Sequence, residues 1–344
     1  MRIALVSSYV PFVNGGARNI VEWLQAMLEE GGHRVEKIYL PEVDDPDLLF
    51  QQMMAYRWLD LEAADRIICF RPQAHLIPHR HKILWFIHHI RAFYDLWDTP
   101  YRGFPDDSQH RSVRDALHRV DSAAIQEAKA VFTNSRVVSE RLLIYNSARS
   151  EVLYPPVIQP ERYRNAGFNN EIVCVCRLEH HKRQHLLVEA MQYVKSPVRL
   201  RLSGTSSGPG YPQSLSKMIA DLGLQSRVVL DNRWITEEEK IEQLSNCLAA
   251  AYLPLDEDSY GYPSLEASHA SKPILTTTDS GGVLELVKDG VNGYVTKPDP
   301  KALAEAIDRF HQDRNRTLVM GQNALERLAE LNISWQYVLR RLLE

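Results

Sequence analysis

The stretch Val152-Leu153-Tyr154-Pro155-Pro156-Val157 divides the chain. Two consecutive prolines can continue neither a helix nor a central strand, because their rings fix the backbone and remove two N–H donors. The polar run that follows, as far as Asn170, reads with them as a linker. On the N-terminal side, short apolar runs alternate with helical patterns. Ile3 to Val6 reads as a strand, and Asn19 to Glu30 follows with Ile20, Val21, Leu24, Met27 and Leu28 spaced along one helix face. Val35 to Leu40, Arg66 to Phe70, Ile83 to Ile87 and Ala130 to Asn134 read as further strands. On the C-terminal side the alternation restarts as if from a new N-terminus. Strands are expected at Glu171 to Cys176, Val198 to Ser203, Val228 to Asp231, Ala249 to Leu253 and Pro273 to Thr277, with helices between them and a helix over Pro300 to Gln312. Such alternation implies parallel sheets covered by helices, so the class is α/β with two doubly wound domains of similar size.

A length of 344 residues agrees with two domains, and 44% hydrophobic with 24% charged residues excludes disordered and fibrous classes. The 40 Lys plus Arg against 44 Asp plus Glu leave a net charge of -4, which offers nucleic acid no general attraction. The four cysteines, Cys69, Cys174, Cys176 and Cys247, lack the spacing of a zinc knuckle and read as buried free thiols in a reducing compartment. The apolar run at the N-terminus meets Ser7 too early for a secretory signal, and no run is long enough to span a membrane. A cytoplasmic location is expected.

In open parallel sheets ligands bind beyond the carboxyl ends of the strands. Three loops there attract attention. Pro11-Phe12-Val13-Asn14-Gly15-Gly16-Ala17 places adjacent glycines before the first helix, where a backbone can approach a phosphate or simply turn. Arg177 and Lys182 follow the first strand of the second half, and two cations at a sheet mouth suit a diphosphate as well as they suit solvent. In Asp258-Ser259-Tyr260-Gly261-Tyr262-Pro263-Ser264-Leu265-Glu266, two carboxylates stand eight residues apart across a loop and the first turn of a helix. They can accept hydrogen bonds from sugar hydroxyls, although Glu266 could equally serve the helix end.

In sequence order these stretches, with Lys272-Pro273-Ile274-Leu275, Gly281-Gly282, Glu285 and Gly290-Val291-Asn292-Gly293, resemble the C-terminal domain of the retaining GT-B glycosyltransferases called family 4, or glycosyl transferases group 1. Gly15-Gly16, Phe132-Thr133-Asn134-Ser135 with Arg141, and Tyr154-Pro155-Pro156-Val157 are similar to the rest of that family, and the likeness runs from Arg2 to Trp335. The resemblance implies a GT-B fold, two Rossmann-like domains facing across a cleft. Residues 1–158, completed by a last helix in 331–344, would form the acceptor-side domain, and 159–330 the nucleotide-sugar domain. It implies transfer of a sugar from a UDP- or GDP-linked donor to a glycan or lipid-linked acceptor, with retention and without a metal or other cofactor.

The donor-binding set carried over is Gly15, Gly16, Arg177, Lys182, Asp258, Gly261, Tyr262, Leu265 and Glu266, with Arg177 and Lys182 on the diphosphate and Glu266 on ribose. The family's first carboxylate, which reaches the donor sugar, is usually Glu and here is Asp258. His88, Arg177, Lys182 and Asp258 would stand nearest the chemistry. His89 competes with His88 for the histidine that contacts the sugar. Family members are described as front-face transferases, in which the leaving phosphate oxygen takes the acceptor's proton. The shortened Asp258 also leaves open a nucleotide-sugar-binding protein that has lost transfer, while a phosphorylase would need a larger second domain.

Seven of the 13 histidines (His75, His79, His81, His88, His89, His110, His118) fall between residues 71 and 120, among eight Arg or Lys and the aromatics Phe93, Tyr94, Trp97 and Tyr101. With no nucleic-acid module in the chain, this segment is expected to recognise the acceptor or touch an anionic membrane, or to be a solvated loop. Arg233, Trp234 and Thr236 are candidates to face the donor base. Asp45-Pro46-Asp47 and Asp256-Glu257-Asp258 fit the metal-binding string of another transferase fold and are read as coincidence.

Overall fold

The computed structural model describes residues 1–12, 15–42 and 45–344; Val13 and Asn14 of the first glycine loop lie outside the described residues, as do Val43 and Asp44. The chain divides into two compact units, 1–156 with 333–344, and 157–332.

The first unit holds six strands: β1 (Arg2–Tyr9), β2 (Arg34–Pro41), β3 (Arg66–Cys69), β4 (Lys82–Phe86), β5 (Ala130–Thr133) and β6 (Glu151–Val152). All pair in parallel, in the order β2-β1-β3-β4-β5-β6. The apolar run Ile3–Val6 understates β1, because Ser7 and Ser8 continue it as buried positions, with the Ser7 hydroxyl donating to the Ser8 carbonyl at 2.8 Å. Every residue of β4 is buried, including Lys82, whose ammonium donates to the His75 carbonyl at 2.8 Å and to Glu127 at 2.9 Å. A lysine so satisfied can open a central strand without an orphaned charge.

The helix Trp335–Leu343 buries Trp335, Val338 and Leu342 and belongs to this unit although it ends the chain. Arg341 fixes it by a two-pronged bond to Glu151 on β6, at 2.6 and 2.9 Å. The unit is therefore built from both ends of the chain.

The second unit holds β7 (Glu171–Val175), β8 (Arg199–Ser203), β9 (Val228–Asp231), β10 (Ala249–Ala251), β11 (Ile274–Thr277) and β12 (Gly293–Thr296). They are parallel, in the order β12-β11-β10-β7-β8-β9. Counted within the unit and read from β9, that is 3-2-1-4-5-6, the order of a Rossmann sheet. Leu187, Val188, Leu200, Leu202, Leu253, Leu275 and Ile307 form its solvent-free centre. A helix over Arg314–Glu330, capped by the Asp313 carboxylate, which accepts from the Arg316 amide at 2.9 Å, has Gly321 at mid-length. That glycine has a packing cause: a Cβ there would stand 2.1 Å from the Ser271 carbonyl oxygen.

Candidate functional site

Strand order reverses between β7 and β10 in the second unit and between β1 and β3 in the first, and a doubly wound sheet opens a crevice at such a point. In the second unit the loop after β7 carries Arg177 and Lys182, and the loop after β10 carries Glu257, Asp258 and Gly261. Arg177 is exposed, and its charge helps hold the Glu179 carboxyl below its ordinary range. Lys182 is buried in a short 3-10 turn, His180–Lys182, and its ammonium donates to the Tyr252 hydroxyl at 2.9 Å and to the Glu257 carboxylate. The same hydroxyl donates to Glu257 Oε2 at 3.0 Å. Burial drives the Glu257 carboxyl upward, but the Lys182 ammonium and the two hydrogen bonds outweigh it and hold the group below its ordinary range.

Neither the composition nor the motif pattern marked Glu257, which in sequence looks like the middle of an acidic string. Arg183 was missed too. It adopts a left-handed backbone, φ 55°, and its guanidinium bonds to the carbonyls of Leu253 and Pro254, to Thr277 and twice to Asp279, all at 2.7 to 2.9 Å. It ties the loops after β7, β10 and β11 together, and the adjacent Lys182 is thereby fixed in place.

The glycines of these loops serve that packing. Gly261 has φ 69°, and a Cβ there would meet the Tyr252 ring at 2.3 Å, so the loop lies flat on the tyrosine that holds Lys182. At Gly281 a Cβ would stand 2.4 Å from the Glu257 carbonyl oxygen, and the Gly282 amide donates to that oxygen at 2.8 Å.

Glu266 sits in the second turn of the helix Tyr262–His269, not the first, and does not serve the helix end. It is buried against Lys240, which donates to it at 2.6 Å and also pairs with Glu237 at 2.8 Å. Burial raises its pKa against the pull of that lysine. Tyr262 is half-buried, and Asp258 is half-buried in the loop beside Glu257. The Leu265 side chain, in the same helix, is fully buried, so this position can offer a ligand only its backbone. Of the residues considered for the base, Arg233 is held by Asp231 at 3.0 Å and Glu239 at 2.7 Å, and Thr236 caps the helix Glu237–Asn246. Trp234 presents an indole that is 66% exposed.

In the first unit, Gly15 precedes the helix Gly16–Glu30 with an extended backbone, and among the described residues nothing stands within 4 Å of where its Cβ would be. The first N–H groups of a helix have no internal partners, so this end presents donors. Arg71 follows β3 and pairs with Glu42 at 2.6 Å. His88 follows β4, half-buried, with Nδ1 2.7 Å from the His89 carbonyl oxygen. A carbonyl only accepts, so Nδ1 carries the proton and Nε2 is left as an acceptor. Burial, helped by the Arg71 cation, pushes the His88 pKa down to about 4, and the ring is neutral at pH 7.

His89 is buried instead, bonded through Nε2 to Asn146 at 2.8 Å and packed on the Tyr94 ring at 4.2 Å. Behind it His75 meets Asp121 at 2.8 Å, and the Tyr94 hydroxyl donates to the other oxygen of Asp121 at 2.6 Å. The histidine-rich segment is thus largely interior. Phe93, Tyr94 and Trp97 are buried, Tyr101 alone of the four aromatics is exposed, and Lys82, Arg91 and Arg111 are paired with Glu127, Asp95 and Asp106. The interleaved basic and aromatic residues therefore form no surface stripe, because the rings fill the space beneath the sheet edge. In Asp45-Pro46-Asp47, Asp45 accepts from the Asp47 amide at 2.9 Å and caps a turn. No helix among the described residues is long and apolar enough to cross a membrane.

Residues 159–327, nearly the whole second unit, match the family model described as "Glycosyl transferases group 1". The second unit is thus a glycosyl transferases group 1 domain, and the chain has the GT-B fold of a glycosyltransferase. It is 25% identical over 311 residues to the alpha-1,3/1,6-mannosyltransferase ALG2 of Homo sapiens, a match covering 82% of this chain and 72% of the relative. It is 31% identical over 170 residues to the GDP-mannose-dependent alpha-(1-6)-phosphatidylinositol monomannoside mannosyltransferase of Mycolicibacterium smegmatis, covering 47% of this chain and 43% of that one. The fold likeness runs along both units. Anabaena HepE, solved in complex with UDP, superposes with a TM-score of 0.70 at 20% identity over 98% of each chain. The sucrose-phosphate synthase of Thermosynechococcus elongatus does so with 0.76 at 17% identity over 99% of this chain and 96% of that one.

Proposed function

We propose that this group 1 glycosyltransferase moves a sugar from a UDP- or GDP-linked donor to a glycan or lipid-linked acceptor, with retention of configuration and without a metal ion. The observation that carries the reading is an exposed Arg177 beside the anchored Lys182 in the loop that follows β7, at the switch point of the unit that matches the family model. Arg177 can fork two phosphate oxygens, and Lys182 adds a fixed point charge.

As the bond between sugar and phosphate lengthens, negative charge grows on the departing diphosphate. Cations held in place before the reaction stabilise that charge where it develops, without reorganisation. A phosphate oxygen of the leaving group then takes the proton of the acceptor hydroxyl, which forms its new bond on the same face of the sugar. His88 accepts a hydrogen bond from a donor-sugar hydroxyl through Nε2, and the Gly15-Gly16 amides offer donors to the donor's anionic groups. Glu266, held by Lys240 and by the Tyr163 hydroxyl, is the carboxylate assigned to ribose, and Trp234 is a platform for the base.

A relative named for GDP-mannose and a structural neighbour solved with UDP make both bases part of the test. Purified protein is titrated calorimetrically with UDP-glucose, UDP-galactose, UDP-N-acetylglucosamine and GDP-mannose, and donor hydrolysis is then followed. Saturable binding with slow hydrolysis supports the transferase reading. Binding without any turnover, with hydrolysis or with acceptor extracts, marks a sugar-nucleotide-binding protein instead. Absence of binding to any of the four contradicts both.

A further inference from the structure

The Lys182-Tyr252-Glu257 cluster holds an acidic group to which no role has yet been given. One oxygen of Glu257, Oε2, is tied down by Lys182 and by the Tyr252 hydroxyl at 3.0 Å. The other, Oε1, has no hydrogen-bond partner among the described residues, and the side chain keeps 26% of its surface exposed. A carboxylate this deeply supported, with a single open oxygen, cannot turn away to solvent. Its backbone is equally fixed, bridged to Gly281 and accepting from the Gly282 amide at 2.8 Å.

Place and charge both restrict what that oxygen can meet. Lys182 is the cation set against the donor diphosphate, and a group bonded to the same ammonium lies within about two hydrogen-bond lengths, roughly 6 Å, of a phosphate oxygen bound there. A free anion so near a diphosphate would repel it; pairing with Lys182 removes most of that repulsion. The open oxygen accepts and cannot donate, so its natural partner is a hydroxyl, and the hydroxyls nearest a donor's diphosphate are those of the transferred sugar.

We infer that Glu257 is a specificity-determining contact of this chain: its open carboxylate oxygen accepts a hydrogen bond from a hydroxyl of the donor sugar, while its other oxygen holds Lys182 in position. The family resemblance implies the sugar contact at the neighbouring Asp258. The inference rests on the donor site proposed above, and it names a residue which that reading did not include.

The test compares nucleotide sugar with bare nucleotide. Wild type, Glu257→Gln and Glu257→Ala are titrated with UDP, GDP, UDP-glucose and GDP-mannose, with thermal unfolding recorded alongside. The readout is the affinity for the nucleotide sugar divided by the affinity for its nucleoside diphosphate. Freeing Lys182 changes both affinities and cancels in the ratio; a lost sugar contact does not cancel. The ratio is expected to fall at least tenfold in Glu257→Ala, where the bond vanishes, and about tenfold in Glu257→Gln, whose oxygen stays with Lys182 and Tyr252 and whose NH2 replaces the open acceptor with a donor. Should Glu257→Ala fail to fold, the glutamine variant, which retains an oxygen for Lys182 and Tyr252, gives the answer. A wild-type protein that binds nucleotides while both variants keep its ratio overturns the inference and leaves the donor site standing. A wild-type protein that binds none of the four overturns the donor site and the inference with it.

Discussion

At the switch point of the second unit the polar side chains are charged and mostly paired with one another: Lys182 with Glu257, Arg183 with Asp279, Lys240 with Glu266. In the first unit the loop after β3 carries one such pair, Arg71 with Glu42, but His88, which follows β4, is neutral and bonded to a backbone carbonyl. The contrast separates two ways of holding a polar side chain ready: in the second unit cations are balanced by buried carboxylates, and at His88 the backbone selects the tautomer of a neutral acceptor. Pre-pairing also explains how several charges can sit in one crevice of a protein with nearly balanced composition without repelling each other apart.

Breaking the charged side of this comparison should have the largest effect. Lys182→Ala is expected to lower donor kcat/KM about a thousandfold, near 4 kcal/mol, and to depress Tm as well, because it strands the buried Glu257 carboxylate. The double variant Lys182→Ala with Glu257→Ala should recover most of the lost Tm and none of the activity. Arg177→Ala is expected to cost activity about thirtyfold, some 2 kcal/mol, with Tm little changed, since the side chain is exposed and its attraction to Glu179 is screened by solvent. Steady-state kinetics beside calorimetric unfolding separates the two cations, and equal Tm losses would contradict the different burial assigned to them.

On the neutral side, His88→Ala should reduce donor kcat/KM by about tenfold with little change in stability, the worth of one hydrogen bond. His89→Ala should act in the opposite sense, lowering stability by about 2 kcal/mol through the emptied space and the orphaned Asn146. If His89→Ala abolished turnover in a fully stable protein, the assignment of the two histidines would be reversed.

The smallest effect is a pH dependence of stability. Burial holds His88, His89 and His269 at about 4 in the native state, against 6.5 for an unperturbed histidine. As pH falls below 6.5 the unfolded chain takes up protons that the native chain does not, so stability is fully present above that value and declines toward pH 4. Each group adds a slope of at most about 1.4 kcal/mol per pH unit. Urea midpoints should therefore be flat between pH 7 and 8 and lower at pH 5. Removing His88 should flatten that decline in part, without abolishing it.

Much of the architecture was legible because its signals are local. The double proline at 155–156 lies at the boundary between the units, and strand runs such as Ile3–Val6 and Ile83–Ile87 lie on central strands. Helix 314–330 escaped notice because the cause of Gly321 is a carbonyl fifty residues away in sequence. The same remoteness hid the site's supporting pairs. Lys182 and Glu257 are separated by 75 positions and Arg183 and Asp279 by 96, so no spacing rule connects them. The charged segment 71–120 misled for a related reason: composition reports that aromatic and basic residues alternate, but only packing decides which face inward.

The central claim is that Arg177 and Lys182 form a diphosphate site, and the most direct measurement is calorimetric titration of UDP and GDP into wild type, Arg177→Ala and Lys182→Ala at low and high salt. One of the two nucleotides should bind the wild type, more weakly as salt rises. Each variant should lose at least tenfold in affinity while remaining folded. Unchanged nucleotide affinity in both folded variants would contradict the account.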